Sequence, residues 1–118
     1  MSLRERMRAR SLMTSRQLEL LRQHLDVMSG AIKLREAATN AEGGSISIGA
    51  YCRVVTQGRE KLKRSVVTIV LGIWLGYLKI EDLRRLFELV ASGNKDLDEE
   101  NQRRLVVILG DVVDRIVV

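Results

Sequence analysis

The sequence predicts an all-α fold, and three observations lead to this prediction. The chain has no proline and only 3% aromatic residues, whereas strands are usually rich in aromatic and β-branched side chains. Apolar residues recur every three or four positions over long stretches, which is the spacing of one helix face. The length of 118 residues, with 46% hydrophobic and 30% charged residues, fits one soluble domain. We therefore expect a four-helix, bundle-like domain at residues 14–118, preceded by a basic, flexible arm at residues 1–13.

The first predicted helix runs from Thr14 to Ala38, with Thr14 or Ser15 as its N-cap. Its apolar residues form one stripe and a second stripe beside it: Leu18, Leu21, Leu25, Met28 and Ile32, then Leu20, Val27 and Leu34. The first stripe is typical of a helix that packs lengthwise on another helix. We interpret this segment as an ordinary bundle helix, and a dedicated dimeric coiled coil is the alternative.

The second predicted helix is the long central one, at about residues 47–76, with Ser47 as its N-cap and Gly76 as the residue that ends it. Its first half is basic on one face, and its second half, Val66–Leu75, is apolar on all sides. At about 1.5 Å per residue it is about 42 Å long, more than the diameter of about 35 Å of a compact domain this size. We therefore expect the basic end to project and the apolar end to be buried, unless the helix bends at Gly58 or Gly72.

Two further helices are predicted in the last third of the chain. The third begins near Ile80 and has a predicted buried face of four residues: Leu83, Leu86, Phe87 and Val90. The fourth begins at Asp96, which is predicted to cap it with Glu99 in the reciprocal capping-box position. Three pairs of opposite charge at i,i+4 spacing favour a helix here over a strand: Glu99–Arg103, Glu100–Arg104 and Asp111–Arg115.

Positive charge is concentrated in the first part of the chain. Residues 1–64 hold 13 Lys+Arg and 6 Asp+Glu, a net +7, whereas residues 65–118 hold 7 and 9, a net −2, which together give the +5 of the whole chain. Scattered surface charge seldom segregates in this way, so the basic part indicates an electrostatic binding surface.

The basic half of the long helix is the candidate binding site. Phosphate is the commonest anion that a group of Lys and Arg side chains meets, and its neutralisation releases counterions. The predicted nucleic-acid-binding residues are Arg53, Gln57, Arg59, Lys61, Lys63 and Arg64. Ser47 and Tyr51 could add hydrogen bonds, and the arginines at 4, 6, 8 and 10 could add positive charge from the arm. We expect binding to DNA in preference to RNA, with little sequence specificity; a helix-turn-helix is a further possible route.

The apolar half of the long helix predicts a different class of function. If the fold does not cover it, four side chains form an interface for a protein partner or a second copy of the chain: Val67, Leu71, Trp74 and Leu75. The apolar tail Ile116-Val117-Val118 could extend this surface. The alternative function is therefore an interaction or accessory subunit, and we expect a homodimer.

Catalysis, metal binding and membrane insertion are not predicted. His24 and Cys52 are the only His and Cys and lie in different segments, and no phosphate loop or metal-ligand spacing is present. We therefore expect a non-enzymatic protein without a cofactor or metal. The longest apolar run, Val66–Tyr77, is shorter than the about 20 residues that span a bilayer. A single cysteine gives no sign of an oxidising compartment, so we expect a cytoplasmic protein.

One pattern in the long helix resembles a known group of proteins. It reads Gly49-Ala50-Tyr51-x-Arg53-Val54-Val55-x-Gln57-x-Arg59, then Leu62-Lys63-Arg64-Ser65 and an apolar run to Leu75-Gly76. Over residues 47–90 it is similar to small basic helical proteins of thermophilic archaea, some of which are accessory subunits of the replicative DNA polymerase. The resemblance implies a non-catalytic role close to nucleic acid.

Overall fold

In the computed structural model, the described residues (3–41, 44–92 and 98–118) form six α-helices. In chain order these are α1 (Leu3–Ala9), α2 (Ser15–Met28), α3 (Leu34–Thr39), α4 (Ile48–Leu75), α5 (Ile80–Ser92) and α6 (Glu99–Ile116). The predicted all-α class is confirmed. The long central helix is confirmed as well, because α4 continues without a break for 28 residues. Helix α1 lies within the segment that was expected to be a flexible arm.

The chain divides into two compact units, whereas the sequence predicted one domain at residues 14–118. One unit is Arg8–Arg64, here called the basic unit, and the other is Met1–Met7 with Ser65–Val118, here called the apolar unit. The boundary at Arg64 and Ser65 falls inside α4, so this helix contributes residues to both units.

The basic unit has a well-formed core between α2, α3 and the first half of α4. Its buried apolar side chains are Leu20, Ala37, Ala38, Ala41, Tyr51 and Val55. The ring of Tyr51 is fully enclosed in this core, which it shares with the small side chains of Ala37 and Ala38. The Gln23 side chain of α2 donates to the Ala37 carbonyl at 3.1 Å, which ties α2 to α3.

The first predicted helix, Thr14–Ala38, is two helices in the structure. Helix α2 ends at Met28, and the chain turns through Gly30, whose φ of +83° favours glycine, before α3 begins at Leu34. The core therefore centres on Leu20 of the second predicted stripe, and of the first stripe Leu21 and Ile32 pack against its edge. Leu25 and Met28 of that stripe are exposed.

The predicted helix caps are mostly confirmed, since they depend on residues close together in the chain. The Thr14 hydroxyl accepts from the Gln17 N–H, and the Gln17 side chain accepts from the Thr14 N–H, both at 3.1 Å. Ser47 accepts from the Ala50 N–H at 3.1 Å at the start of α4. Gly76 ends α4 with a φ of +90°. Such a left-handed residue after the last turn is the usual glycine C-cap.

Few side chains are buried in the apolar unit. Among its described residues, only Leu83, Gly110 and Ile116 are buried. Phe87 and Val90, which were predicted on the buried face of α5, are exposed. Leu78 and Val117 of this unit form an antiparallel bridge, and the Val118 N–H donates to the Tyr77 carbonyl at 3.0 Å, so the C-terminus lies beside the turn that follows α4.

Helix α6 is capped and paired largely by its own residues. Asp98 accepts from the Asn101 N–H at 2.8 Å and is the observed N-cap; the predicted cap, Asp96, lies outside the described residues. The predicted ion pairs of Arg103 with Glu99 and of Arg104 with Glu100 are confirmed, each at 2.9 Å. The third predicted pair is different: Arg115 donates to the backbone carbonyl of Asp111 at 3.3 Å.

The prediction of which half of α4 is buried was wrong. The buried residues of α4 are Tyr51, Val55 and Gly58, all in its basic half, so that half is a wall of the basic unit's core and not a free projection. The apolar half, Val66–Leu75, has no buried residue. The charged and apolar composition of each half did not reveal which half had neighbours to pack against. No helix in the described ranges combines the length and apolar character needed to cross a membrane.

Candidate nucleic-acid interface

The rotation of α4 in the basic unit is fixed by its buried side. Gly58 lies so close to α2 that a Cβ atom at this position would be 2.7 Å from Cδ1 of Leu21. Tyr51 and Val55, which are one turn apart and precede Gly58 in α4, lie in the core. Side chains project from a helix at fixed angles to one another. The packing of the buried side therefore determines which side chains of residues 48–64 face solvent.

The solvent-facing side of this half of α4 carries most of the predicted site. Four cations and one amide side chain are exposed there, and together we call them the basic face: Arg53, Gln57, Arg59, Lys63 and Arg64. Glu60 is the only acidic residue between Arg53 and Arg64. The structure therefore brings five of the six predicted residues to the solvent-facing side of one helix.

Glu60, the acidic residue beside the basic face, pairs with Lys63 but leaves the Lys63 ammonium group accessible to solvent. Lys63 Nζ lies 3.2 Å from Glu60 Oε1, and the two side chains are 66% and 53% exposed. A solvent-exposed ion pair at this spacing contributes about 0.3–0.5 kcal/mol to stability. A phosphate group can therefore replace Glu60 as the partner of Lys63. Arg53 and Arg59 make no ion pair with another described residue.

Lys61, the sixth predicted residue, has a different role in the structure. Its ammonium group donates to the Leu12 carbonyl at 2.9 Å and to Gln17 Oε1 at 2.8 Å. Gln17 is buried, and the same oxygen accepts from the Thr14 N–H that completes the cap of α2. Lys61 therefore joins α4 to the start of α2, and its positive charge is directed towards the protein.

Tyr51 and Ser47 do not act as predicted either. Tyr51 is fully buried, and its hydroxyl has no hydrogen-bond partner among the described residues. Burial raises the pKa of this hydroxyl above its usual 10.0, and the charge of the neighbouring Cys52 thiolate raises it further. The Ser47 hydroxyl caps α4. Of the three residues predicted to add hydrogen bonds, Ser47 caps the helix and Tyr51 lies in the core. The side chain of Gln57 is exposed and has neither role.

The arm arginines are also partly engaged within the protein. Arg6 lies on α1 with 21% of its side chain exposed, and its guanidinium is 3.9 Å from Glu99 Oε1 of α6. This contact lies within the apolar unit. Arg4 and Arg10 are exposed on or just after α1, and Arg8 is half-buried. The predicted group of four cations on a flexible arm is thus replaced by side chains on and beside a short helix.

The division into units sharpens the charge separation. Arg8–Arg64 holds 11 Lys+Arg and 5 Asp+Glu, a net +6. Met1–Met7 with Ser65–Val118 holds 9 and 10, a net −1, and the two values sum to the +5 of the chain. Positive potential is therefore concentrated on the unit that carries the basic face.

The predicted interface residues are exposed in the apolar unit. We call Val67, Leu71, Trp74 and Leu75 the apolar face of α4; their exposed fractions lie between 51% and 81%, with Trp74 the highest. Of the tail residues, Val117 and Val118 are exposed, but Ile116 is buried and so cannot be part of the surface. Sequence reasoning missed Tyr77, which is exposed next to the tail and follows Gly76 directly.

Cys52 and His24 belong to the core region of the basic unit. Cys52 is half-buried and packs against the core, as expected. The His24 and Tyr51 rings lie 5.7 Å apart in a tilted arrangement. Within the described ranges, no three His, Cys, Asp or Glu side chains come together in a way that could hold a metal ion. The chain matches no protein-family model, no curated protein and no solved structure.

Proposed function

We propose that this protein binds the phosphate backbone of nucleic acid through the basic face of α4, with little sequence specificity. The observation that carries the proposal is the exposure of Arg53, Arg59, Lys63 and Arg64 on a helix whose rotation the core fixes. A rigid helix that presents several cations reaches neighbouring phosphates without first ordering a loop, which lowers the entropic cost of binding.

The chemistry of the basic face favours backbone contacts over base recognition. Lys and Arg neutralise phosphate, whereas the face offers a single exposed amide, Gln57, as a candidate for reading a base edge. We therefore expect duplexes of different sequence to bind with similar affinity. The wide spread of charge over a unit of net +6 supports the same conclusion.

The proposal is tested with a fluorescently labelled DNA duplex and a variant that neutralises the basic face. In the variant R53Q/R59Q/K63Q/R64Q four positive charges are lost. The matched control, R84Q/R85Q/R103Q/R104Q, loses four exposed positive charges in the apolar unit. We expect the basic-face variant to lose at least about tenfold in affinity in moderate salt, because about four phosphate contacts are removed.

The control separates a local surface from a general charge effect. If both variants weaken binding equally, the total charge of the chain is responsible and the basic face is not a site. An RNA duplex of the same sequence in a parallel titration tests the expected preference for DNA.

We also propose a second candidate function, an interaction or accessory subunit of a nucleic-acid-processing complex such as a DNA polymerase. The exposure of Val67, Leu71, Trp74 and Leu75 favours it. Each such side chain contributes about 1.5–3 kcal/mol when it is fully transferred out of water. Burial of the face therefore stabilises a complex with a partner that covers it. Trp74 is the single tryptophan of the chain, and its fluorescence therefore reports on this face alone. At a protein concentration at which the free chain is monomeric, a blue shift on addition of a protein partner is expected, and an unchanged spectrum in a formed complex contradicts this candidate.

A further inference from the structure

The apolar unit leaves much more apolar surface uncovered than the basic unit. In the described ranges 21 large apolar side chains are exposed, and all but five of these belong to the apolar unit. The five in the basic unit are Leu12, Leu25, Met28, Ile48 and Leu62. By contrast, Leu83 and Ile116 are the buried large side chains among the described residues of the apolar unit.

The exposed residues of the apolar face of α4 lie on one side of the helix, and Tyr77 and the C-terminal valines lie near its end. Val67, Leu71 and Trp74 recur at spacings of four and three, which places them on one side of the helix. After Gly76, the Tyr77 N–H returns to the Gly72 carbonyl at 2.9 Å, so Tyr77 stays beside the helix end. The hydrogen bond from the Val118 N–H to the Tyr77 carbonyl then places the C-terminal valines at the same end.

The size of this surface is comparable with that of a stable protein interface. We define the self-association surface as the apolar face of α4 together with Tyr77, Val117 and Val118, all more than half exposed. These seven side chains expose on the order of 700 Å², taking about 150–250 Å² for an aromatic residue and less for an aliphatic one. Standard interfaces bury about 800 Å² per partner, whereas the largest apolar patch of a monomer is about 300–600 Å².

We infer that this surface binds the same surface of a second copy of the chain and forms a two-fold symmetric dimer. Charge favours a copy as the occupant, because the apolar unit has a net charge of −1 and two copies of it scarcely repel each other. Two basic units of net +6 would repel each other strongly, so electrostatic repulsion opposes association through the apolar unit less than association through the basic unit.

The spacing on α4 is self-complementary in an antiparallel arrangement. If two α4 helices cross near Leu71, Val67 lies against the partner's Trp74, and Trp74 lies against the partner's Val67. Each residue pair then occurs twice, as a two-fold interface requires. A large side chain meets a small one in both places, which allows close packing.

Such a dimer carries two basic faces. If the proposed function is correct, each of the two faces binds the backbone of a duplex, so one dimer has two phosphate-binding sites. This consequence rests on the proposed function, but the dimer itself does not.

The dimer is tested by sedimentation and light scattering at up to about 100 µM protein, at which a dimer with a micromolar dissociation constant is mostly formed. We expect a mass of twice the 13.4 kDa of one chain. The variant L71E should be a monomer, because two carboxylates meet at the two-fold axis. The matched control L25E changes an equally accessible leucine of the basic unit and should remain a dimer. Unchanged circular dichroism shows that L71E is folded, as the exposure of Leu71 leads us to expect.

Three results separate this inference from the proposed function. A monomeric wild-type protein at the highest concentration, or a dimer that L71E leaves intact, overturns the inference. A dimer that L71E dissociates but that does not bind DNA supports the inference and contradicts the proposed function. If both are correct, L71E is a monomer that binds a short duplex as the wild-type protein does.

Discussion

Lys61 and Lys63 are two residues apart on α4, yet the structure predicts opposite consequences of replacing them with Met. The Lys61 ammonium group makes two hydrogen bonds within the protein, to Leu12 and to Gln17. Lys63 Nζ lies 3.2 Å from Glu60 Oε1, and the ion pair with Glu60 is its one polar contact among the described residues. Methionine keeps a long, flexible side chain and removes the charge at either position. The two variants therefore form a matched pair that separates a structural cation from a binding cation.

The expected loss of stability for K61M follows from what its partners do without it. A hydrogen bond from a charged donor contributes about 1.5–3 kcal/mol. The Leu12 residue is exposed, so its carbonyl can bond to water, and Gln17 Oε1 still accepts from the Thr14 N–H at 3.1 Å. We therefore expect K61M to lower the free energy of unfolding by about 1–2 kcal/mol in total, or the melting temperature by about 5 °C. K63M should change it by less than about 0.5 kcal/mol, as is usual for an exposed pair.

DNA binding should respond in the opposite way. Each phosphate contact contributes about 0.9 to the slope of log K against log salt concentration, so K63M should reduce the slope by about 0.9 and K61M should leave it unchanged. Thermal unfolding and a salt series of fluorescence anisotropy titrations measure both quantities. The reasoning is refuted if K61M is as stable as the wild-type protein, or if it reduces the salt slope as much as K63M does.

Three further substitutions test the fold around the site. G76A should lower the free energy of unfolding by about 1–2 kcal/mol in urea titrations, because alanine disfavours the φ of +90° that ends α4; no loss would contradict the observed turn. T14A should cost about 1 kcal/mol, since it removes the hydroxyl that accepts from the Gln17 N–H, and a neutral effect would show that the capping box contributes nothing. Y51F should be neutral or stabilising at pH 7, because it removes a buried hydroxyl without a partner among the described residues. The folded-state pKa of Tyr51 is raised above the unfolded value of 10.0. The contribution of this pKa difference to the free energy of unfolding is therefore fully present below pH 10 and is lost as the pH rises through the folded-state pKa. Y51F should therefore lose less stability than the wild-type protein above pH 10, and an equal loss in both proteins would contradict the burial of this hydroxyl.

The sequence predicted those parts of the fold that depend on neighbouring residues. Thr14 caps α2 through Gln17, three residues away, and Gly76 ends α4 by its own backbone conformation. The length of α4 followed from an uninterrupted helical pattern without proline. Such features need no knowledge of the rest of the chain.

The arrangement of the core could not be predicted because it depends on distant residues. Tyr51 is enclosed by the alanines of α3, and this requires a turn at Gly30 within a segment whose apolar spacing continues through it. The basic half of α4 was expected to project because a helix of about 42 Å is longer than the diameter of about 35 Å of a compact domain of this size. A helix with one charged side can nevertheless bury the opposite side.

The exposure of the candidate binding residues on one side of α4 was predicted except for Lys61, and the sequence did contain a signal for the position of Lys61. Lys61 is seven residues after Val54 and three after Gly58, so it lies on the partly buried side of α4. In the prediction, the positive charge of Lys61 was given more weight than its position on the helix. The acceptors themselves, Leu12 and Gln17, lie more than 40 residues away and could not be inferred from spacing.

The dependence of DNA affinity on salt concentration tests the central claim most directly. With about four phosphates bound by the basic face, log K should fall with log salt concentration at a slope of about −3 to −4, or about a hundredfold in affinity between about 50 and 200 mM salt. A slope close to zero, or the absence of binding at the lowest salt concentration, would contradict the claim that the exposed cations of α4 bind nucleic acid.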